Sequence, residues 1–358
     1  MRPGKLRTPT KRFARRSKGK LVKNMFEEID GHSLAKKTLQ RAASDERIAH
    51  AYLFSGPEGV GKKLTAISFA KELICPEKRG RAESAHRDCP VCERIDAKIH
   101  PDVSLFEYKD KNAITVDNVR NGIERGIFLK PFESQYKIFI VDGAQRMNSN
   151  AQNAFLKTLE EPPPYSVIIL ITDLPLMILP TIRSRCHTVG FGKLDGTVAR
   201  EKLNEKGELS AEEIELAVKI TDGSPGKALK ITSEEAGKIV ETVKALAGID
   251  ARKPSEVFAF VENLLGKAKG NAEQRVQAEN FAEFTALWIR DLLRASAGAN
   301  EFTYGALSDV SADFARRRKP SEIVEKALEF ENTMAGIKAR NLNCRIALEN
   351  FVLKIANI

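Results

Sequence analysis

The chain has 358 residues, of which 42% are hydrophobic and 30% charged, a composition typical of a globular protein with two or three domains. No apolar run approaches the ~18 residues that a membrane span needs, and residues 1–24 lack the apolar core of a secretory signal. Five cysteines in so long a chain argue against a secreted disulfide scaffold. We therefore expect a reducing, cytoplasmic setting and no membrane partner.

The net charge of +10 comes from the start of the chain. Residues 1–26 hold ten Lys and Arg side chains and no acidic one, while the rest of the chain carries 48 residues of each sign. Residues 1–24 are predicted to form a basic flexible tail, because they have too few apolar side chains to repay ordering. The tail could add sequence-independent affinity for phosphate backbones. The alternatives are a solvated leader and a transit peptide.

Short apolar runs alternate with helical patterns along the chain after the tail. The clearest of these segments occupy 51–54, 62–74, 137–141, 150–161 and 166–172. Unbroken apolar runs interleaved with helices predict strands that are buried on both faces of a parallel α/β sheet. After Phe191 helical periodicity dominates, which predicts a small helical unit at 193–245 and a larger helical domain at 246–358.

A glycine-rich turn follows the first apolar run and precedes the first helical pattern. Its residues Gly56, Gly59, Gly61 and Lys62 match the pattern of a phosphate-binding P-loop. The glycines let backbone N–H groups converge on phosphate oxygens, and the helix N-terminus adds partial positive charge. The sequence therefore predicts a nucleotide cradle rather than a chance glycine turn.

Two positions depart from a working nucleotide site. The residue after Lys62 should be Ser or Thr, whose hydroxyl binds Mg²⁺, but it is Lys63, and an ammonium group can only donate hydrogen bonds. Asp142 directly follows the run 137–141, at the position where an acid would lie near Mg²⁺. The glutamate that would orient water directly after this acid is replaced by Gly143. We expect any nucleotide to bind weakly and with little dependence on Mg²⁺.

Several longer blocks resemble one protein family. They are 49–54, His100-Pro101-Asp102, the stretch from Lys137 through Met147 to 153–163, and Ser184-Arg185-Cys186. Together they are similar to the bacterial DNA polymerase III clamp-loader subunits. The resemblance implies the AAA+ fold: an α/β P-loop domain at 25–192 with a Cys-containing insertion at 75–100, a helical lid at 193–245 and an all-α oligomerisation collar at 246–358. It also places Thr172 among the nucleotide-binding residues.

The resemblance implies a task and a subunit type. The family uses ATP to open a sliding clamp and place it on primed DNA, and its hydrolysing members carry Arg in a lid motif like Gly-Ser-x-Arg. This chain has Lys63, Gly143 and Gly226 at the three hydrolysis positions. It retains Arg185, which in the family acts as an arginine finger on a neighbour's nucleotide. This combination is similar to the delta-prime type, and Asn341-Leu342-Asn343 near the last helix also resembles it.

We therefore expect a noncatalytic subunit of a DNA-directed DNA polymerase (nucleotidyltransferase) holoenzyme, with gamma/tau-like and delta-like partners in a five-subunit ring. One alternative is a gamma/tau-like subunit that hydrolyses ATP itself. Another is a stand-alone DNA-binding protein, whose DNA affinity would fall steeply with salt and depend on the basic tail. For Arg185, the alternative to a finger is a salt bridge or a cation at a helix C-terminus.

The cysteines form a partial metal-binding pattern. Cys89-Pro90-Val91-Cys92 with Cys75 upstream resembles the zinc module of the family, which has a fourth cysteine where this chain has Ile95. A structural zinc site normally has four ligands. His86, Asp88 and His100 could each supply the fourth, and the alternative is a decayed site with reduced thiols. Cys186 and Cys344 are expected to be plain apolar residues.

Overall fold

The structure is a computed structural model that describes residues 25–356 apart from 77–88, 108–113, 251, 267, 269, 300 and 340–342. The predicted basic tail, the possible zinc ligands His86 and Asp88, and Asn341-Leu342 lie outside the described residues. The chain divides into two compact units. The first comprises Met1–Gly56 with Gly61–Phe191, and the second comprises Pro57–Val60 with Gly192–Ile358.

The first unit is a parallel sheet with helices. Its strands are β1 (Ala51–Ser55), β2 (Val103–Glu107), β3 (Lys137–Asp142), β4 (Ser166–Thr172) and β5 (His187–Gly190). Its helices are α1 (Ser33–Ser44), α2 (Lys62–Ile74), α3 (Pro90–Asp96), α4 (Val116–Asn118) and α5 (Arg125–Ile127) around a π-helical stretch (Val119–Glu124), α6 (Ser149–Glu160) and α7 (Pro180–Arg183). The strand order is β2-β3-β4-β1-β5, and every neighbouring pair is parallel.

Burial follows the position of each strand in the sheet. All seven residues of the central strand β4 are buried, whereas the edge strand β5 buries only Val189. One hydrophobic core packs Phe139 and Leu170 of the sheet against Phe155 of α6. A central strand has helices on both faces, which is why its sequence is continuously apolar. The carboxyl ends of the strands are then the edge at which polar side chains can meet.

The regular elements of the second unit are all helices among its described residues. Its helices are α8 (Gly196–Lys206), α9 (Ala211–Ile220), α10 (Pro225–Ala228), α11 (Ser233–Ala247), α12 (Pro254–Leu265), α13 (Asn271–Ser296), α14 (Ser308–Arg316), α15 (Pro320–Ala339) and α16 (Cys344–Ala356). Trp288 of α13 is fully buried in the larger core of this unit, and its indole N–H donates to Ser311 at 3.2 Å.

The predicted fold class is confirmed: a parallel α/β sheet is followed by a helical region. The apolar runs at 51–54, 137–141 and 166–172 are strands whose ends differ from the prediction by at most one residue. The sequence analysis missed β2 and β5. Both are edge strands, and all but one side chain in each is exposed or half-buried, so neither gives a continuous apolar run.

Candidate functional site

The glycine-rich turn leaves the end of β1 and enters α2, as a P-loop does. Gly56 (φ +154°) and Gly61 (φ +102°) have backbone conformations that side-chain-bearing residues rarely adopt. A Cβ on Gly56 would lie 2.1 Å from the carbonyl oxygen of Phe191. Lys62, the first residue of α2, is buried and donates from Nζ to the Gly56 carbonyl at 2.6 Å. In this structure the lysine is therefore folded back along its own loop.

Residues 57–60 of the loop belong to the second unit and contact α10. The Ser224 hydroxyl donates to the Glu58 carbonyl at 2.8 Å, and the Gly226 N–H donates to the Gly59 carbonyl at 2.9 Å. A Cβ on Gly226 would lie 2.8 Å from that carbonyl oxygen and 2.9 Å from the Gly59 Cα. The position where hydrolysing relatives are expected to carry arginine is therefore closed to any side chain in this arrangement.

Lys63, the second residue of α2, binds two carboxylates in the first unit. Its Nζ lies 2.6 Å from Glu107 Oε1 and 3.0 Å from Asp142 Oδ2. Glu107 and Asp142 are paired across β2 and β3 at the last position of each strand, so their side chains leave the sheet together. The Lys98 ammonium binds the other oxygen of Glu107. Two lysines thus neutralise two acids at the edge where Mg²⁺ was expected to be held.

The charge pairing changes the proton affinity of these groups. The Lys63 and Lys98 ammonium groups hold the pKa of Glu107 at about 2. Burial by itself lowers the pKa of Lys63, but its hydrogen bonds to Glu107 and Asp142 outweigh burial and raise the pKa above the ordinary value. Lys63 therefore stays charged at any physiological pH. A divalent cation approaching Asp142 would meet a fixed positive charge.

Thr172, the last residue of β4, lies beside the start of the loop. It pairs with Ser55 at the end of β1, and its carbonyl accepts a hydrogen bond from the Gly56 N–H at 3.3 Å. Its buried hydroxyl accepts from the Leu174 N–H at 3.1 Å. The first unit thus places Thr172 at the same sheet edge as Asp142. In this structure its hydroxyl stabilises the turn that follows β4.

Arg185 follows α7 and lies at the surface of the first unit. Its Nη2 donates to Glu160 Oε1 at 2.8 Å, and its Nη1 donates to the Thr181 carbonyl at 3.0 Å. The side chains of Arg185 and Glu160 are 37% and 50% exposed. A surface ion pair of this kind contributes only about 0–1 kcal/mol. The guanidinium is therefore positioned by these contacts, and its acidic partner Glu160 is exposed and not buried.

Helix α6 supports the segment that carries Arg185 at two points. The buried Gln152 accepts a hydrogen bond from the Leu179 N–H at 2.8 Å and donates to the carbonyls of Met147 and Met177, both at 3.0 Å. At the other end of α6, Glu160 is the last helical residue, where the helix dipole disfavours an acid and favours a nearby cation such as Arg185.

Cys75, Cys89 and Cys92 form a buried cluster in the first unit. Their sulfur atoms all lie within 4.8 Å of one another, and the Cys75 and Cys89 sulfurs are 3.7 Å apart. Zn–S bonds of about 2.3 Å in a tetrahedron give sulfur pairs about 3.8 Å apart, so the cluster fits three corners of a zinc site. Burial raises the pKa of the Cys89 thiol. The three cysteines could therefore hold a metal ion.

His100, one of the possible fourth ligands, does not join the cysteine cluster. Its Nδ1 accepts from the Asp102 N–H at 3.1 Å, and its Nε2 lies 3.1 Å from Glu133 Oε1. Burial lowers the pKa of His100. Among the described residues the potential metal ligands that come together here are the three cysteines, whereas His100 contacts Asp102 and Glu133.

Asp102 is a fully buried carboxylate that organises the loop before β3. It accepts hydrogen bonds from the N–H groups of Phe132 (2.7 Å), Glu133 (2.9 Å) and Ser134 (3.0 Å), and from the Ser134 hydroxyl (2.9 Å). Burial by itself raises the pKa of Asp102, but these donors outweigh it and lower the pKa to about 2. The His100-Pro101-Asp102 block therefore has a structural role in this unit, through its aspartate.

Cys186 and Cys344 have apolar surroundings. Cys186 packs against the core of the first unit, where burial raises the pKa of its thiol to about 12. Cys344 is buried in the larger core of the second unit.

Sequence reasoning missed three residues that shape these sites. Glu107 and Lys98 belong to the charge network around Lys63, and Glu160 holds Arg185. Glu107 ends a strand as Asp142 does, but the strand that carries it, β2, was itself missed. No sequence signal pairs Glu160 with Arg185, which are 25 residues apart.

The parallel sheet and the P-loop-type turn define a P-loop domain, and comparisons with known proteins specify its family. The family model described as DNA polymerase III, delta subunit, matches residues 31–195. The chain is 31% identical to DNA polymerase III subunit delta' of Bacillus subtilis over 229 residues, which are 63% of this chain and 67% of that protein. The chain belongs to the AAA+ family of DNA polymerase III clamp-loader subunits.

Two other relatives show how far the similarity extends. DNA polymerase III subunit delta' of Pseudomonas aeruginosa is 34% identical over 206 residues, 55% of this chain and 61% of that protein. DNA polymerase III subunit tau of Bacillus subtilis is 29% identical over 321 residues, 85% of this chain and 55% of that protein. The chain thus spans between half and two thirds of the length of these two relatives.

Among the described residues, no helix combines the length and hydropathy that a membrane crossing requires.

Proposed function

We propose that this chain is a delta-prime-type clamp-loader subunit that does not hydrolyse ATP in its own site. The observation that carries the proposal is the ion pairing of Lys63 with Asp142 and Glu107, which puts an ammonium group where Mg²⁺ would be needed. Gly143 supplies no side chain to orient water. The closed position at Gly226 is a third departure from a hydrolysing site.

The active contribution of this subunit is Arg185, offered to nucleotide bound by a neighbouring subunit. A guanidinium stabilises the charge that develops on a transferring phosphoryl group. The pairing of Arg185 with exposed Glu160 supports this role, because a surface ion pair is weak enough to exchange for a phosphate. The partners are gamma/tau-like and delta-like subunits in a hetero-pentameric ring that uses ATP to load a sliding clamp on primed DNA.

The remaining elements have supporting roles in this proposal. The lid is expected at 193–245 and the oligomerisation collar at 246–358. Zinc bound by Cys75, Cys89 and Cys92 would stabilise the insertion after α2, with a fourth ligand from outside the described residues. The protein would act in the cytoplasm, as part of a polymerase holoenzyme.

The test reconstitutes the chain with hydrolysing and delta-type subunits and measures ATP turnover. Arg185→Ala should leave assembly intact and slow turnover at the site that receives the arginine by about 10³-fold or more. Arg185→Lys should recover little of this rate, because an ammonium lacks the planar fork of a guanidinium. Arg120→Ala, which removes an exposed arginine of the same unit, is the matched control. Unchanged turnover in assembled Arg185→Ala rings would refute the finger.

A gamma/tau-like ATPase is the second candidate, and the alignment with tau over 85% of the chain favours considering it. The isolated chain decides between the two. A delta-prime-type subunit should show no ATP hydrolysis above buffer, with or without Lys62→Ala. Solo hydrolysis that Lys62→Ala abolishes would establish the gamma/tau-like function instead.

A further inference from the structure

The fold family implies Mg²⁺ at the edge of the sheet beside the P-loop, and the residues of this chain do not fit that ion. We propose that the Lys63 ammonium is a permanent substitute for the divalent cation, so that this edge of the sheet neither needs nor binds Mg²⁺. The proposal deepens the proposed function, because both rest on the Lys63 ion pairs, but it is tested on the isolated chain and requires no neighbouring subunit.

The strand register creates the need for a cation. Glu107 and Asp142 are directly opposite each other on parallel neighbours β2 and β3, and both are final residues of their strands. Like charges at directly opposed positions destabilise a sheet. Their side chains are only 19% and 32% exposed, so water screens the repulsion incompletely. A positive group between the two carboxylates relieves this repulsion while both stay ionised.

Lys63 meets that need from the start of α2. Its Nζ reaches both carboxylates, at 2.6 Å and 3.0 Å, and an ammonium has three protons to donate. These are hydrogen-bond distances between nitrogen and oxygen, longer than the 2.0–2.1 Å of Mg²⁺–oxygen bonds. The position also cannot supply the hydroxyl that a P-loop usually offers to the metal. The ammonium has replaced both the ion and one of its ligands.

Lys98 completes the charge balance on one side only. It binds Glu107, whereas Asp142 is reached by Lys63. Removing Lys98 therefore leaves a cation between the two acids, and removing Lys63 does not. Because Lys63 and Lys98 are both partly exposed lysines on the same acid, substitutions at the two positions form a matched pair.

The experiment compares thermal unfolding of wild type, Lys63→Met and Lys98→Met, with and without MgCl₂ at constant ionic strength. Lys63→Met should unfold about 2–4 °C or more below wild type in the absence of Mg²⁺. Added Mg²⁺ should recover much of that shift in Lys63→Met and change neither wild type nor Lys98→Met. Equal responses to Mg²⁺ in wild type and Lys63→Met, or no response in Lys63→Met, would overturn the proposal.

If Lys63→Met does not fold, the wild-type chain still decides. Binding of Mn²⁺, as a paramagnetic probe for Mg²⁺, can be followed by electron paramagnetic resonance in wild type and in Asp142→Asn. Binding that Asp142→Asn abolishes would show that the ammonium does not exclude the metal, and the proposal would fail. The absence of any binding sensitive to Asp142→Asn supports it. Neither outcome depends on whether Arg185 acts as a finger.

Discussion

Replacing Asp102 by Asn should destabilise the first unit strongly at neutral pH and much less in acid. The donors from residues 132–134 lower the pKa of Asp102 from 3.8 to about 2. Each unit of pKa is worth about 1.4 kcal/mol, so the ionised carboxylate contributes roughly 2 kcal/mol at pH 7. Because the folded-state pKa lies below the unfolded value, this stability is complete above about pH 5. About half of it is lost at pH 3 and most of it at pH 2.

Asp102→Asn removes this contribution and also turns an amide NH₂ toward backbone N–H donors. Leaving such buried donors unsatisfied costs about 1–3 kcal/mol, so the total loss at pH 7 should be about 3–5 kcal/mol. The difference from wild type should shrink by roughly 1 kcal/mol between pH 7 and pH 3. Glu107, whose pKa is also about 2, affects both proteins equally and cancels from the difference.

The measurement is urea unfolding followed by far-ultraviolet circular dichroism, together with hydrogen exchange of the Glu133 and Ser134 amides. Fluorescence is unsuitable, because the single tryptophan, Trp288, lies in the second unit. Asp96→Asn removes an exposed carboxylate 2.6 Å from Lys71 and should cost less than about 1 kcal/mol. A pH-independent difference for Asp102→Asn, or one as small as that control, would refute the reasoning.

Two more predictions concern the closed loop contact and the thiol cluster. Gly226→Ala should lower the free energy of unfolding of the second unit by about 1–3 kcal/mol, because the added Cβ would clash with the Gly59 backbone. Gly237→Ala should raise the same free energy by about 0.5–1 kcal/mol, because this helical glycine has open space where the Cβ would lie. Urea unfolding followed by tryptophan fluorescence checks both, and an equal effect at the two glycines would contradict the packing argument. Mass spectrometry of the purified protein should find one zinc ion per chain, which Cys89→Ser loses and Cys186→Ser keeps. A wild-type protein that contains no zinc, and whose unfolding a chelator does not change, would refute the site.

Local sequence pattern was a good guide to the buried elements and a poor one to the edges. The run at 166–172 predicts its strand to the residue, because helices on both faces demand continuous apolar side chains. The strands β2 and β5 lie at the sheet edges, where continuous apolar side chains are not required, and their sequences therefore do not stand out as strands. The P-loop was readable because its glycines are required by local backbone geometry at Gly56 and Gly61.

The sequence predicts which residues of the candidate site depart from a nucleotide-binding pattern, but it does not predict which charged partners they contact. Replacement of a hydroxyl residue by Lys63 is visible in the sequence, and so is the loss of glutamate at Gly143. What the ammonium does instead depends on Glu107, which is 44 residues away and reaches Lys63 only because β2 pairs with β3. Sequence spacing carries no information about that pairing.

The amino-acid sequence by itself determined the α/β class, the glycine loop, the departures at Lys63 and Gly143 and the cysteines able to bind metal, since each depends on residue type and short spacing. Only the tertiary structure decided which charges meet. Strand register put Glu107 opposite Asp142, and helix packing put Glu160 beside Arg185. The separation has a simple cause: hydrogen-bonding geometry along a helix, strand or turn is local, whereas electrostatic partners are selected by distance in space.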